Sequence, residues 1–265
     1  MKNFQDVNPT LISCIIPVFN GERYLRQALD SVLSQSYRPL EIIVADDDST
    51  DGSAAVVAGY SDPVRYVRQR NRGPAAARNL GVQAARGEFV AFLDQDDLWH
   101  PEKLTRQMVR FQERPELDLC VAHLALFWVT ALQEEEIRFQ DHRIARPLPG
   151  YITGTLLARI DCFKKVGLFD PDLRYGDAME WFIRAAEKGA ILELLSDVLL
   201  YHRMHRSNLS RREASGSRGE FLQILKSSLD RRRRRDGKTA TEYRFPVAGV
   251  DERVSDTSKK TREPT

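Results

Sequence analysis

The chain has 265 residues, of which 42% are hydrophobic and 29% charged, the make-up of a soluble globular protein with room for one large α/β domain or one domain and a tail. A formal net charge of +2 excludes nucleic-acid binding through overall charge, although an arginine run stands at Arg231–Arg235. Cys14, Cys120 and Cys162 form no CxxC pair and no zinc pattern, so buried free thiols in a reducing compartment are expected. Met1–Thr10 lacks the basic-then-apolar order of a signal peptide. The longest apolar run, Leu119–Leu132, falls short of the ~20 residues of a spanning helix and contains His123. A cytoplasmic protein is expected, with peripheral docking on a membrane surface as an option.

Leu11–Val18 is an isoleucine-rich apolar run and predicts a buried strand. Phe19-Asn20-Gly21 is turn chemistry, and Glu22–Ser36 sets Tyr24, Leu25, Leu29, Val32 and Leu33 at helical spacing. Leu40–Ala45 is a second buried strand that ends in the acidic run Asp46–Asp51, and Ser53–Tyr60 continues as a helix. Val64–Arg68 is a third strand. Pro74 sits where a first-turn proline belongs, in a helix that runs to about Ala85 and stops near Gly87. Glu88–Leu93 is a fourth strand and delivers Asp94 to its end. This alternation predicts a mostly parallel, Rossmann-like sheet with helices on both faces, binding its ligand beyond the carboxyl ends of the strands. Asn20, Asp46-Asp47 and Asp94–Asp96 all fall there, so separate elements point to one crevice.

The second half is less regular. Pro101–Gln112 predicts a helix, Asp118–Thr130 and Gln133–Phe139 predict strands about a turn, and Tyr151–Ala158 predicts another strand. Asp161–Val166 is a short helix and Asp177–Lys188 a stronger one, ending at Gly189. Ile191–Leu195 and Val198–Tyr201 are short strands. Phe221–Leu229 supports an amphipathic helix with Phe221, Leu222, Leu225 and Leu229 on one face, and the chain from Asp236 onward has the composition of a disordered tail.

The three carboxylates of Asp94-Gln95-Asp96-Asp97 repel one another unless solvent or a cation neutralises them. Mn²⁺ or Mg²⁺ bridging to phosphate oxygens answers that need, and a solvated loop capping the next helix is the plain alternative. Asp47 can accept from a pyrimidine or a ribose, while Ser49 or Asp51 can cap the helix that follows. Arg78, on the second turn of an alanine-slimmed helix, can reach a phosphate or the acidic cluster, or stand as a surface arginine. Asp177 opens a helix and is either a cap or a general base for an acceptor hydroxyl. Trp181 and Phe182 are then core or a platform for sugar. A histidine within Tyr201–Asn208 can complete metal coordination, contact a diphosphate or serve structure alone.

Seven segments in order carry a resemblance: Ile16–Glu22, Glu41–Gly52, Asn71–Gly81, Phe92–Trp99, Val166–Asp170, Gly176–Arg184 and Arg203–Ser210. Over residues 11–211 the chain resembles the inverting glycosyltransferase family 2, which has the GT-A fold. The resemblance implies a nucleotide-sugar donor, with a UDP-sugar expected, held by Pro17, Phe19, Asn20, Glu22, Asp47, Arg78, Asp94 and Gln95. It implies Mn²⁺ or Mg²⁺ on Asp94 and Asp96, the two acids of the family's DXD motif, with Asp96 the direct ligand and His205 near metal and diphosphate. It places the catalytic base at Asp177, with Glu180 in reserve. Many members carry Glu-Asp at this point, where this chain has Gly176-Asp177-Ala178. The acceptor stays open among a glycan, a lipid-linked glycan, a peptide and a small molecule.

The division expected is an N-terminal extension at 1–10, the GT-A domain at 11–211, an amphipathic helix with the arginine run at 212–235, and a disordered tail at 236–265. A sugar nucleotidyltransferase would begin with a Gly-rich loop bearing Arg and Lys, which Pro17–Gly21 is not. A non-catalytic nucleotide-sugar binding protein is the alternative that Ala178 motivates. Arg231–Arg235 lacks the aromatic interleaving of a nucleic-acid site, so no nucleic-acid partner is expected. Anionic lipid, an acidic partner or a homodimer through Phe221–Leu229 remain as contacts for that helix.

Overall fold

Strands β1 (Ile12–Val18) and β2 (Leu40–Asp46) are buried at every position, as continuous apolar runs must be when parallel neighbours flank them and helices cover both faces. The structure, a computed structural model, describes residues 10–212 and 214–236. Helix α1 (Glu22–Leu33) turns Leu25, Ala28, Leu29 and Val32 inward. Helix α2 (Ser53–Ala58) leads to β3 (Val64–Arg68), and α3 (Pro74–Ala84) to β4 (Phe89–Phe92). β1 lies between β2 and β4, and β2 pairs with β3, all parallel. Pro17 is tolerated in this central strand because β4 ends opposite Ile15, before it.

The second half adds β5 (Leu98–Trp99), α4 (Lys103–Glu113), β6 (Leu119–Trp128), α5 (Gln133–Phe139), β7 (Leu148–Pro149) and β8 (Leu157–Arg159). After these come α6 (Ile160–Val166), α7 (Asp177–Glu187), β9 (Leu192–Met204), α8 (Leu209–Arg212) and α9 (Ala214–Asp236). The sheet runs β3-β2-β1-β4-β8-β6-β9-β5, with β7 on β6. β3, β2, β1, β4, β6 and β9 share one direction, and β8, β5 and β7 oppose it. Ile12, Cys14 and Ile16 face α1 and α4, while Ile15 and Ile43 face α3, α6 and α7. This is the α/β arrangement expected. The helix α3 lies close on β1 because residue 81 is glycine: a Cβ there would stand 2.3 Å from Ile15 Cγ2.

Three expectations differ from what is found. Gln133–Phe139 is a helix, not a strand: Glu134, Glu135 and Glu136 fill its first turn and Arg138 its last, which suits the helix dipole. Ile191–Leu195 and Val198–Tyr201 are one strand, β9. The Ser196-Asp197 interruption is absorbed as extra residues opposite the Ala122/His123 step of β6, where the ladder shifts register. The strand expected over Tyr151–Ala158 is confined to β8, after a 3₁₀ turn at Thr153–Thr155.

The C-terminal helix turns Ile224 and Ser228 inward, so Phe221, Leu222, Leu225 and Leu229 form an outward apolar stripe instead of a packing face. The arginine run is divided in use. Arg231 Nε donates to Glu187 Oε2 at 2.6 Å, Arg232 Nε lies 3.9 Å from Glu187 Oε1, and Arg233 and Arg234 are exposed. The first nine residues and those from 237 onward, which carry most of the expected extension and tail, lie outside the described residues. Among the described residues no helix is long and apolar enough to cross a membrane. The three cysteines are free and buried, and burial pushes their thiols up to about 12.

One buried cation has no carboxylate partner among the described residues. Lys103 is 0% exposed, with Nζ 4.4 Å from the Trp99 ring centroid and 2.7 Å from Gln107 Oε1. Burial lowers its pKa to about 7, against slight opposition from Cys14 and Cys120. Above pH 7 the unfolded chain keeps a proton on Lys103 that the folded chain has released, so this residue makes stability rise with pH until the unfolded lysine titrates near 10.5. Replacing Lys103 with Met should flatten that rise and raise Tm more at pH 6 than at pH 9. Equal Tm changes at the two pH values would contradict the assignment.

Candidate functional site

The carboxyl ends of β1, β2 and β4 bring the expected residues to one edge. Arg78, on α3, is 7% exposed. Its Nη1 donates to Asp177 Oδ2 at 2.6 Å, and its Nη2 donates to Asp94 Oδ1 at 2.9 Å. One guanidinium therefore joins the end of β4 to the start of α7. Burial acts against the charged form, and the two carboxylates outweigh it, driving the Arg78 pKa upward. Arg78 Nε is buried and has no hydrogen-bond partner.

The other two acids of the cluster have their own partners. His205 Nε2 lies 2.8 Å from Asp96 Oδ2, and Asn208 Nδ2 donates to the same oxygen at 3.3 Å. Against its burial, the hydrogen bond and charge of His205 and the charge of His202 hold Asp96 below the usual carboxylate range. Asp97 accepts from Arg203 N and from His202 Nδ1, each at 2.9 Å. Burial pushes Asp97 up to about 6. Burial also acts to lower His202, but the charge and hydrogen bond of Asp97 lift it to about 9, so the two form an ion pair at neutral pH.

The residues expected to hold the nucleotide lie on loops that hold one another. Gln95 Oε1 accepts from Phe19 N at 2.8 Å and Gln95 Nε2 donates to Phe19 O at 3.1 Å, which ties the acidic loop to the end of β1. Phe19 itself is exposed. Asn20 adopts φ 51°, which asparagine tolerates, and its Oδ1 accepts from Thr50 N at 2.8 Å. Glu22 Oε2 accepts from Gly52 N at 2.9 Å. Pro17 lies buried one strand position before Val18. Asp47 accepts from Gln69 Nε2 at 2.7 Å, Arg72 N at 2.9 Å and Gly73 N at 2.7 Å. Three of its roughly four lone-pair directions are thereby used, so Asp47 shapes the loop before α3. Gly73 at φ 92° makes the turn that lets Pro74 start α3.

The structure separates the two base candidates. Asp177 joins Arg78, whereas both Glu180 oxygens accept from Arg184 Nε, at 2.9 and 2.7 Å. Arg184 in turn donates to Val166 O and Leu168 O, so Glu180 anchors the loop after α6. Trp181 and Phe182 are both core, which removes the sugar-platform reading. Asp94, Asp96 and His205 are not gathered as one ligand set, since Asp94 is drawn to Arg78. Among the described residues no three His, Cys, Asp or Glu side chains converge as a metal group. Asp96 and His205 still fit a divalent ion as a pair, offering oxygen and nitrogen donors 2.8 Å apart, because such ions take one or two protein ligands and complete their shell with substrate phosphate and water.

His202, Arg203 and Asn208 were not singled out individually from sequence. Arg203 stacks between Tyr24 and Phe127, 4.5 and 4.7 Å from their centroids, and its Nε donates to Asp96 O at 2.7 Å. The pairing of β5 with β9 sets these residues beside the acidic loop, and a one-residue alternation along a strand was the only available signal.

The sequence model of glycosyl transferase family 2 matches residues 13–167, and the chain belongs to that family. It is 34% identical over 190 residues to an uncharacterised glycosyltransferase of Rickettsia typhi, covering 67% of this chain and 59% of the relative. It is 32% identical over 221 residues to an uncharacterised glycosyltransferase of Nostoc sp., covering 74% of this chain and 66% of the relative. The chain thus spans about three fifths of the length of the Rickettsia protein. The crystal structure of S. aureus TarS 1–349 in complex with UDP-GlcNAc superposes with a TM-score of 0.61 at 22% identity, covering 74% of this chain and 59% of that one. The UDP complex gives 0.59 at 22% identity, covering 73% and 60%. These likenesses establish the fold, which is GT-A.

The two-sided bridge predicts an asymmetric energetic effect. Arg78→Met removes the shared cation from two carboxylates, and urea unfolding should show a loss of about 3–5 kcal/mol, the usual penalty for stranding one side of a buried pair. A loss below about 1 kcal/mol would mean that solvent already neutralises Asp94 and Asp177.

Proposed function

We propose that the protein transfers a sugar from a nucleotide-sugar, with UDP-sugar the expected donor, to an acceptor hydroxyl with inversion at the anomeric carbon. The observation that carries this reading is the Asp94–Arg78–Asp177 bridge at the strand ends, in a chain of glycosyl transferase family 2. The complexes of TarS with UDP and UDP-GlcNAc support the donor class through a shared fold.

Asp177 is the proposed base. Its Oδ2 lies 2.6 Å from Arg78 Nη1, and it opens helix α7 at the edge where Asp94 also stands. The acceptor hydroxyl gives its proton to Asp177, and its oxygen attacks the anomeric carbon from the face opposite the leaving group. The bond from that carbon to the diphosphate oxygen breaks, and the nucleoside diphosphate departs with the electron pair. Arg78 offsets charge developing on the diphosphate, a role its fixed guanidinium performs without reorganising. Asp96 and His205 would hold Mn²⁺ or Mg²⁺, which when bound supplies Lewis-acid stabilisation to the same diphosphate. Pro17, Phe19, Asn20, Glu22, Asp47 and Gln95 frame the nucleotide. Glu180 is set aside as base because Arg184 occupies both its oxygens.

A panel of UDP-sugars assayed for released UDP should find at least one donor. With that donor Asp177→Asn should lower kcat by about 10²–10⁴-fold, the range of a general base, with donor affinity retained. Unchanged turnover in Asp177→Asn would remove it from the mechanism, and no release from any donor would favour the non-catalytic binding protein.

A further inference from the structure

The loop that leads into Asp177 is held by a helix from outside the family match. Helix α7 has no side-chain cap of its own, since its N-cap is Gly176. The role falls to Glu220 on α9. Its Oε1 accepts from Arg174 N at 2.9 Å, and its Oε2 accepts from Tyr175 N at 2.8 Å and Gly176 N at 3.0 Å. Three successive peptide N–H groups thus converge on one carboxylate at the positive end of α7. The next residue is Asp177.

The fit around this contact is close. A Cβ on Gly176 would lie 2.4 Å from Ile224 Cδ1, so glycine is what allows α9 to seat against the loop. Ile224 is itself 2% exposed. Further along, Ser228 Oγ donates to Glu187 Oε1 at 2.5 Å and Arg231 Nε donates to Glu187 Oε2, fixing α9 to the far end of α7. The contacts therefore include one group at the base, through Glu220 and Ile224, one at Glu187, ten residues beyond Asp177 in the chain, and between them Arg231 Nη1, 3.4 Å from Glu180 Oε1.

We infer that Glu220 is a positioning residue for the transfer reaction, holding the 174–176 backbone so that Asp177 meets Arg78 and the acceptor in register. This rests on the reading of Asp177 as the base. Among the described residues the hydrogen bonds of Glu220 go to the 174–176 backbone and not to Arg78. It acts by satisfying peptide groups that would otherwise turn toward solvent and carry the first turn of α7 with them. The consequence is that the Glu220 end of α9, which lies beyond residues 13–167 of the family match, belongs to the catalytic assembly, while its Ser228 contact with Glu187 does not.

The test compares Glu220→Gln with Ser228→Ala in the full chain, using the donor that releases UDP fastest. Glutamine keeps the size of the side chain but replaces one accepting oxygen by an NH₂ group that repels the peptide N–H groups. Glu220→Gln should lower kcat at least ~10-fold, the scale of a small misplacement at a reacting group, with the Kd for UDP unchanged and amide exchange faster at residues 174–178. Ser228→Ala, which breaks only the distant contact, should leave kcat and that exchange as in the unmodified protein. Wild-type kcat in Glu220→Gln, or an equal loss in both variants, would overturn the inference. Wild-type kcat in Asp177→Asn would instead sink the base assignment beneath it.

Discussion

The site depends on one buried cation. Arg78 lies 16 residues before Asp94 and 99 before Asp177 in the chain, yet its guanidinium meets both. A buried arginine without anions is strongly unfavourable, so the folded state requires α3, the end of β4 and the start of α7 to converge. The alanines of α3 and its Gly81 make that convergence sterically possible, since they let the helix lie close on β1. The same principle recurs next door. Asp97 is matched by His202 and Asp96 by His205, so every acid of the loop has a basic neighbour from a distant segment.

This pairing explains how three carboxylates can stand at the end of one apolar strand. The repulsion expected among them is relieved by Arg78 and the β9 histidines. The same arrangement leaves the side chains of Asp94 and Asp96 partly accessible, at 33% and 19%, whereas that of Asp97 is closed off at 1%. Asp97 is therefore a structural acid that fastens β9 to the loop, and Asp94 and Asp96 are the two more accessible acids, which the proposed function assigns to the donor.

Much of the first half was legible because each element carries its own signal. Ile12–Val18 and Leu40–Asp46 are buried runs, Pro74 marks a helix start, and strand ends deliver Asn20, Asp47 and Asp94. Arg78, Asp177, Asp96 and His205 were also legible, through ordered motifs. What was hidden depends on pairing between distant segments. The continuity of β9 is decided by its ladder with β6, which absorbs Ser196-Asp197 as a bulge. Glu134–Glu136 and Arg138 suit a helix dipole, although a strand is expected from the sequence at Gln133–Phe139. Asp47 was expected to face a nucleotide, yet most of its accepting capacity goes to the loop before α3. Glu220 had no local signature, because its partners are backbone groups 44 to 46 residues away.

On the proposed function, the strand-end cluster is a diphosphate site in which Asp96 acts through a divalent ion. The most direct measurement is equilibrium binding of UDP to the full chain by calorimetry, with Mn²⁺ and with EDTA, for the unmodified protein and Asp96→Asn. Saturable binding that weakens at least ~10-fold both in EDTA and in Asp96→Asn is the predicted result, in line with the contribution of a bridging cation to phosphate recognition. Equal affinity under all four conditions, or no binding in any, would contradict it.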